Sequence, residues 1–448
     1  MSARASTPSS RGGPPSTVKI DRSPGVRGPV DVPGSKSYTN RALVIAGLAR
    51  GRSRISNGLV GDDAQSMVSG LRALGAEIVD EASPGAPGEW SVAGTGGVLS
   101  AGPVVIDANL AGTTLRFLTA VAVLGSGGIE LTGGAPLRER PVGPLLDGLR
   151  HCGASLRGSG KLGDHAPIAV EARKGPLGGR VKLDASQSSQ FVSALLLVAP
   201  YFDHDLILEH HGATAHGFID LTVDLMVSHG AAVEVAQNAL RVSAGMTYEA
   251  ADEHVPPDAS AASHLFTLAI ATDGEITVNR LQSALGQPDL SVLRVFEQFG
   301  AKVSLGPDGS VTVTGAGNLR PIDTDLSQMP DQLPNVAVLA ALAPGTSRIG
   351  GVGVTRFHET NRMAAVAKEL AKVGVHAEVG HDDVIVHGGG ASGGATFCSY
   401  HDHRMVMAIA ALAAALGDSH VAGAECVSKT YRAFWSDAAK LGLRLRPT

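Results

Sequence analysis

Six times along the chain an apolar segment ends in glycine and passes into a strand-like stretch, and this repetition constrains the fold more than any other feature. The copies read Leu74-Gly75-Ala76-Glu77-Ile78, Cys152-Gly153-Ala154-Ser155-Leu156, His229-Gly230-Ala231-Ala232-Val233, Phe299-Gly300-Ala301-Lys302-Val303, Val373-Gly374-Val375-His376-Ala377 and Leu441-Gly442-Leu443-Arg444-Leu445. Their glycines stand 78, 77, 70, 74 and 68 residues apart. A glycine just past the last turn of a helix is free to take positive φ, which predicts a helix C-terminus at each copy.

Each copy also holds a second helix with a polar start and an Ala/Leu/Val body. The starts are Ser35–Arg41, Gly112–Arg116, Ser186–Gln190, Asp258–Ser263, Pro330–Gln332 and Asp402–Arg404. A body that is apolar nearly all round belongs inside the protein, so its N-terminus must meet something polar. The unit is therefore β-α-β-α-β-β, the fold class mixed α/β (α+β), and six units divide into two similar domains of three. Prolines mark the crossings near Val30–Gly34 and Glu253–Pro257. The expected division is a first domain over 34–254 and a second made of 17–33 plus 255–448, with the site in the cleft between them. The strand near Val18–Ile20 is expected to pair with the later domain, and residues 1–16 to form a disordered tail.

A net charge of −5 argues against a nucleic-acid binder. Cys152, Cys398 and Cys426 are odd in number and far apart, which fits neither a disulfide framework nor a metal knuckle and points to a reducing, cytoplasmic setting. The longest apolar run, Met405 to Leu416, is too short to span a bilayer, so no membrane partner is expected.

The stretch Pro33-Gly34-Ser35-Lys36-Ser37-Tyr38-Thr39-Asn40-Arg41 sets two cations and several hydroxyls at a helix N-terminus, where an anion is stabilised by free N–H groups and the helix dipole. Ser35 stands where a Walker A loop requires glycine before lysine. Further basic residues cluster at Arg138–Arg140, Arg356–Arg362, His401–Arg404 and Lys429. Two carboxylates among them, Asp331 and Glu359, have the makeup of an acid–base pair in a cationic pocket. His401-x-His403 has no third ligand at usable spacing, and Asp402 suits a helix cap, so no metal is assigned.

In order along the chain, PGSKSYTNRA, LAGTTLRFL, RERPVGPLLDGL, SQSSQFVSALLL, PPDASAASHLF, HETNR, DHRM and SKT resemble the 5-enolpyruvylshikimate-3-phosphate synthase family from about residue 30 onward. The resemblance implies transfer of the enolpyruvyl group of phosphoenolpyruvate to the 5-hydroxyl of shikimate 3-phosphate, with no metal or organic cofactor, by a monomer. It implies that Lys36, Ser37, Arg41, Ser188, Ser189, Gln190, Asp331 and His358 bind shikimate 3-phosphate. Phosphoenolpyruvate would lie against Lys36, Gly112, Arg140, Gln190, Arg362, Arg404 and Lys429. Asp331 would accept the hydroxyl proton, and Glu359, assisted by Lys36, would protonate the enolpyruvyl methylene. It further implies competition by glyphosate, with its phosphonate end over Gly112.

Departures from the family pattern fall mostly on the acceptor side. His358 stands where lysine is common, so a permanent charge becomes a titrating one that a neighbouring anion would favour. Ala215 stands where a phosphate-binding serine is usual, Asn361 replaces an aspartate, and Leu110 a frequent asparagine. A paralogue acting on a different hydroxylated ring therefore stays open as an alternative. UDP-N-acetylglucosamine is a further acceptor to weigh. It is disfavoured because the SKS…NR start and the DHR helix do not resemble its transferase, and no cysteine lies in a mobile loop between the second and third units.

Overall fold

All six marker glycines take left-handed backbone angles, with φ from 81° at Gly374 to 109° at Gly75. Each ends the outer helix of its unit, as the spacing predicts. These observations come from a computed structural model that describes residues 15–99, 102–236, 239–284 and 286–448. The tail expected over residues 1–16 lies outside the described residues except for Pro15 and Ser16. Ser16 is already anchored, its carbonyl accepting from the N–H groups of Gly423 and Ala424.

The described strands form six four-stranded sheets with one shared topology. Within a unit, the first strand runs parallel to the second, the fourth pairs antiparallel with the second, and the third lies at the edge against the fourth. A helix between the first and second strands must cross over the sheet, and one between the second and third turns the chain back, giving β-α-β-α-β-β. The unit holding Val104–Asp107, Ile129–Thr132, Leu156–Ser159 and His165–Val170 shows the pattern without interruption.

Two units exchange their first strands. Arg27–Val30 precedes the helix Lys36–Leu48, yet it pairs in parallel with Glu275–Val278. In return, Glu253–His254 pairs in parallel with Ile55 and Ser56. The two connecting segments pass antiparallel at Gly34 and Pro257, where Ser35 N–H donates to Pro256 O (2.9 Å) and Asp258 N–H to Pro33 O (2.8 Å). A Cβ on Gly34 would lie 1.9 Å from Asn57 O, so only glycine fits this crossing. Thr17–Ile20 completes the last unit, lying between Ser419–Ala422 and Leu445–Pro447.

The apolar helix bodies are inside. Helices Lys36–Leu48, Gly112–Ala122 and Gln190–Val198 pack on one another within one hydrophobic core, which gathers residues between Ala42 and Val255. Ala259–Ala271, Leu333–Leu342 and His403–Leu416 do the same in a second core that also takes Val18, Ile20, Val26 and Val32. Ala408, Ala410, Ala411, Ala413 and Ala414 on the last helix are buried, and such small side chains let three helices approach closely. Truncating a buried leucine such as Leu412 to alanine removes contacts worth roughly 2–5 kcal/mol. Among the described residues no helix is long and apolar enough to cross a membrane.

Candidate active site

A helix buried on all sides can present only its end, and the ends of these six are not alike. Ser35 Oγ accepts from Tyr38 N–H, Asp258 Oδ1 from Ala261 N–H, and Asp402 Oδ1 from Arg404 and Met405 N–H, so three helices are capped by side chains. The helix beginning at Gly112 has no side-chain cap, which leaves its first N–H groups open to an anion, whereas at the helix beginning at Gln190 the first two N–H groups are taken by Ser188. This corrects the reading of the Ser35–Arg41 stretch as the anion-holding helix end. Its Tyr38 N–H is capped, and Lys36 N–H donates to Asp258 Oδ2 at 2.9 Å. What the stretch offers the cleft is the Lys36 side chain.

Thirteen residues from both halves line one cavity of about 60 Å³. The sequence-predicted Lys36, Gly112, Arg140, Ser188, Gln190, Asp331, His358, Glu359 and Arg404 are among them, joined by Asp63, Thr113, Arg116 and Gln187. Arg362 is wholly buried just behind. Its guanidinium donates to Asp331 Oδ1 (2.6 Å), Glu359 Oε2 (2.9 Å) and both oxygens of Asp402 (2.7 and 3.3 Å). Lys429 Nζ lies 3.0 Å from Glu359 Oε1 and donates to Leu110 O at 3.3 Å. It also lines an adjoining cleft of about 660 Å³.

Besides Arg362 and Lys429, three predicted residues, Ser37, Arg41 and Ser189, do not line the cavity. Arg41 is buried, with Nε donating to Thr222 Oγ1 (2.7 Å) and Nη2 to Ser193 Oγ (3.1 Å) and Phe218 O (3.0 Å). Its Nη1 donates to the carbonyl of Ser37 at 2.8 Å, so Arg41 braces the first turn of its own helix at Ser37. Burial lowers its pKa to about 9, which leaves it charged at neutral pH. Ser189 is buried as the unit's helix begins, whereas Ser188 Oγ accepts from Gln190 N–H at 3.2 Å. Ala215 has φ 53° and donates its N–H to Ser327 O across the cleft (2.8 Å).

The electrostatics follow from packing carboxylates among cations. Burial alone would raise the pKa of Asp331, but Arg404 and Arg362, helped by His358, outweigh it and hold the carboxyl well below its usual range. Burial works the same way on Glu359, and Lys429, Arg362, Arg140 and Lys36 overcome it. Both groups are therefore anions here. His358 Nδ1 lies 3.2 Å from Asp331 Oδ1 and 3.0 Å from Arg362 Nη1. Burial lowers the His358 pKa and Asp331 only partly offsets this, so the imidazole is neutral where a lysine would be charged. The expected charge on His358 thus requires a further anion beside it.

Several donors stand ready for a ligand. Arg140 Nε and Arg404 Nη1 are buried with no hydrogen-bond partner among the described residues. An unmet buried donor costs roughly 1–3 kcal/mol, which an anion bound there would recover. Arg116, whose Nη1 donates to Gln190 Oε1 at 2.7 Å, was not singled out by sequence reasoning although it falls within LAGTTLRFL. Asp402 was read only as a cap, and its second task, anchoring Arg362, depends on a contact between residues forty positions apart.

Comparison with known proteins now bears on this cleft. The family model described as EPSP synthase (3-phosphoshikimate 1-carboxyvinyltransferase) matches residues 20–438. A protein of Methanoculleus marisnigri named 3-phosphoshikimate 1-carboxyvinyltransferase is 37% identical over 415 residues, covering 91% of this chain and 96% of that protein. One of the same name from Nostoc punctiforme is 36% identical over 404 residues, covering 90% and 93%. A solved structure of EPSP synthase from Acinetobacter baumannii superposes with a TM-score of 0.81 over 96% of this chain and 99% of that one, at 23% identity, which speaks to the fold. With its six-unit architecture matched and its sequence aligned nearly end to end, the chain belongs to the EPSP synthase (3-phosphoshikimate 1-carboxyvinyltransferase) family.

Proposed function

We propose that the protein transfers the enolpyruvyl group of phosphoenolpyruvate to the 5-hydroxyl of shikimate 3-phosphate and releases phosphate, a step toward chorismate and the aromatic amino acids. The observation that carries the reading is the gathering of Lys36, Arg140, Arg362, Arg404 and Lys429 around Asp331 and Glu359. Two multiply charged substrates need such a set of cations, and the family membership supplies the reaction.

Asp331 is read as the base that takes the 5-hydroxyl proton while the oxygen attacks C2 of phosphoenolpyruvate. Glu359 protonates C3, giving a tetrahedral adduct. Return of one methyl proton from C3 to the Glu359 carboxylate, with departure of phosphate from C2, then forms the enol ether. Glu359 is ionised here because Lys429, Arg362 and Arg140 surround it, and these are cations that phosphoenolpyruvate would claim. Binding the substrate therefore weakens the hold on the carboxylate and raises its proton affinity at the moment a proton is needed. Shikimate 3-phosphate is assigned to Lys36, Ser37, Arg41, Ser188, Ser189, Gln190, Asp331 and His358, with Ser37, Arg41 and Ser189 acting from behind the lining. Phosphoenolpyruvate is assigned to Lys36, Gly112, Arg140, Gln190, Arg362, Arg404 and Lys429.

A cavity of about 60 Å³ is far below the ~300 Å³ at which small-molecule sites begin. We read residues 34–254 and 17–33 plus 255–448 as two domains that part to admit substrates and close over them. The protein is read as a cytoplasmic monomer. The test is release of phosphate from phosphoenolpyruvate by the purified protein, with shikimate 3-phosphate compared against shikimate and other hydroxylated rings. Turnover with shikimate 3-phosphate is expected, and activity on another ring alone would transfer the assignment to a paralogous reaction.

A further inference from the structure

Outside the cleft, three side chains on one face of a hairpin have the makeup of a metal site. His376 and Glu378 lie two residues apart on the edge strand His376–Val379, so both point to the same face. His387, on Asp383–Gly388, sits directly opposite His376 in the antiparallel register. The imidazoles stack at 5.5 Å between centroids, tilted by only 9°. Glu378 Oε1 is 2.9 Å from His387 Nε2 and 4.0 Å from His376 Nε2, and one ligand atom from each residue lies within 4.8 Å of the others.

The third strand of the row orients the central ring. Thr346, paired opposite His387 on its other side, places Oγ1 3.1 Å from His387 Nδ1. In the ion-free protein Nε2–H donates to Glu378 Oε1; an ion that displaces this proton leaves Nδ1 to donate to the Thr346 hydroxyl and turns the Nε2 lone pair to the metal, an arrangement commonly found behind metal-bound histidines. Ligand atoms around a first-row ion at about 2.1 Å stand roughly 3.0–3.5 Å apart. One pair is already there, and the others need about an ångström of side-chain rotation without backbone movement. All three side chains are exposed, at 73%, 55% and 40% of their surface, so nothing obstructs that rotation.

We propose that His376, Glu378 and His387 form a surface site for a divalent transition ion of the Zn²⁺, Ni²⁺ or Cu²⁺ class. Two imidazoles and a single carboxylate favour such ions over Mg²⁺ and Ca²⁺, which take mostly oxygen ligands. The bound ion ties the edge strand to its neighbour. At the turn of the same hairpin, the carbonyls of Gly380 and His381 accept from Arg356, three residues before Glu359. A cross-link at the open end therefore stiffens the support beneath a segment that lines the cleft, although the site stands independently of the enzymatic reading.

The test is isothermal titration of the full-length protein with ZnCl₂ and separately NiCl₂ in millimolar Mg²⁺. Expected is one ion per chain at micromolar affinity, weakened at least tenfold by either His376→Ala or His387→Ala. A second histidine group, with His210 and His216 rings 5.7 Å apart beside His211, is the competing location. His211→Ala should leave the affinity within threefold. No saturable binding below millimolar metal, binding that survives both His376→Ala and His387→Ala, or binding abolished by His211→Ala would each overturn the proposal. Circular dichroism of the variants keeps loss of a ligand distinct from loss of fold.

Discussion

Asp402 joins two structures with one side chain, and removing it gives a measurable double loss. It is fully buried, its Oδ1 caps the helix His403–Leu416, and its two oxygens hold the Nε and Nη2 of Arg362. Losing a cap costs ~1 kcal/mol. Withdrawing one partner from a buried ion pair costs about 3–5 kcal/mol, at the low end here because Arg362 keeps Asp331 and Glu359. Asp402→Ala should therefore destabilise by roughly 3–5 kcal/mol. Asp402→Asn keeps an oxygen for the cap and loses the charge, so about 2–3 kcal/mol is expected. The protein has two tryptophans, Trp90 buried in one core and Trp435 in the other. Urea unfolding followed by fluorescence in a Trp90→Phe background reads the half that contains Asp402, and a Trp435→Phe background reads the other. The Trp435 transition should fall to lower urea in Asp402→Ala while the Trp90 transition holds nearly still. A loss below 1 kcal/mol, or equal shifts of both, would show that Arg362 does not depend on this carboxylate.

Three further outcomes are expected. Asp331→Ala and Glu359→Ala should each lower kcat by about a hundredfold or more with shikimate 3-phosphate affinity changed only a few-fold; near-full turnover in both would remove their acid–base roles. His264 is wholly buried, with its pKa lowered to about 3 by burial and by Arg404. The unfolded chain then binds a proton near pH 6.5 that the folded one refuses, so stability is full above that pH and falls below it, by about 2 kcal/mol between pH 6.5 and 5. The urea midpoint should drop across that range, less steeply in His264→Asn, and a flat profile would contradict it. A Cβ at Gly112 would lie 2.7 Å from Arg140 Nη1, so Gly112→Ala must push this arginine aside. The KM for phosphoenolpyruvate should then rise roughly tenfold or more, not merely the inhibition constant for glyphosate, and an unchanged KM would mean Arg140 relaxes without loss.

The repeat was legible because backbone geometry imposes it locally: glycine at each helix end is needed whatever the neighbouring unit does, and all six have positive φ. The buried character of the second helices was legible for the same reason, from one-dimensional composition. What could not be read is pairwise. That Asp258 would take the N–H of Lys36, or that Arg41 would turn toward Thr222 and Ser193, depends on which segments meet across 152 residues or more. Motif likeness grouped Ser37, Arg41 and Ser189 with the lining, while the fold buries Arg41 and Ser189 and leaves Ser37 half-buried outside the residues that line the cavity. The metal-type cluster was missed because H-x-E carries little signal until the facing strand brings a histidine opposite.

The exchanged first strands bear on the order in which the protein is made. Thr17–Ile20 leaves the ribosome early, but its neighbours are Ser419–Ala422 and Leu445–Pro447, so Lys19 must wait for Arg446. At the usual pace of synthesis that delay is on the order of half a minute. Arg27–Val30 also waits, for Glu275–Val278. The half spanning Ala42 to Val255 can close its core meanwhile, once Glu253–His254 arrives to fill the place beside Ile55. For that interval the first strands of the chain present unmatched edges, and Lys19, Asp21, Arg22 and Arg27 along them are the kind of charges that discourage pairing with a neighbouring nascent chain.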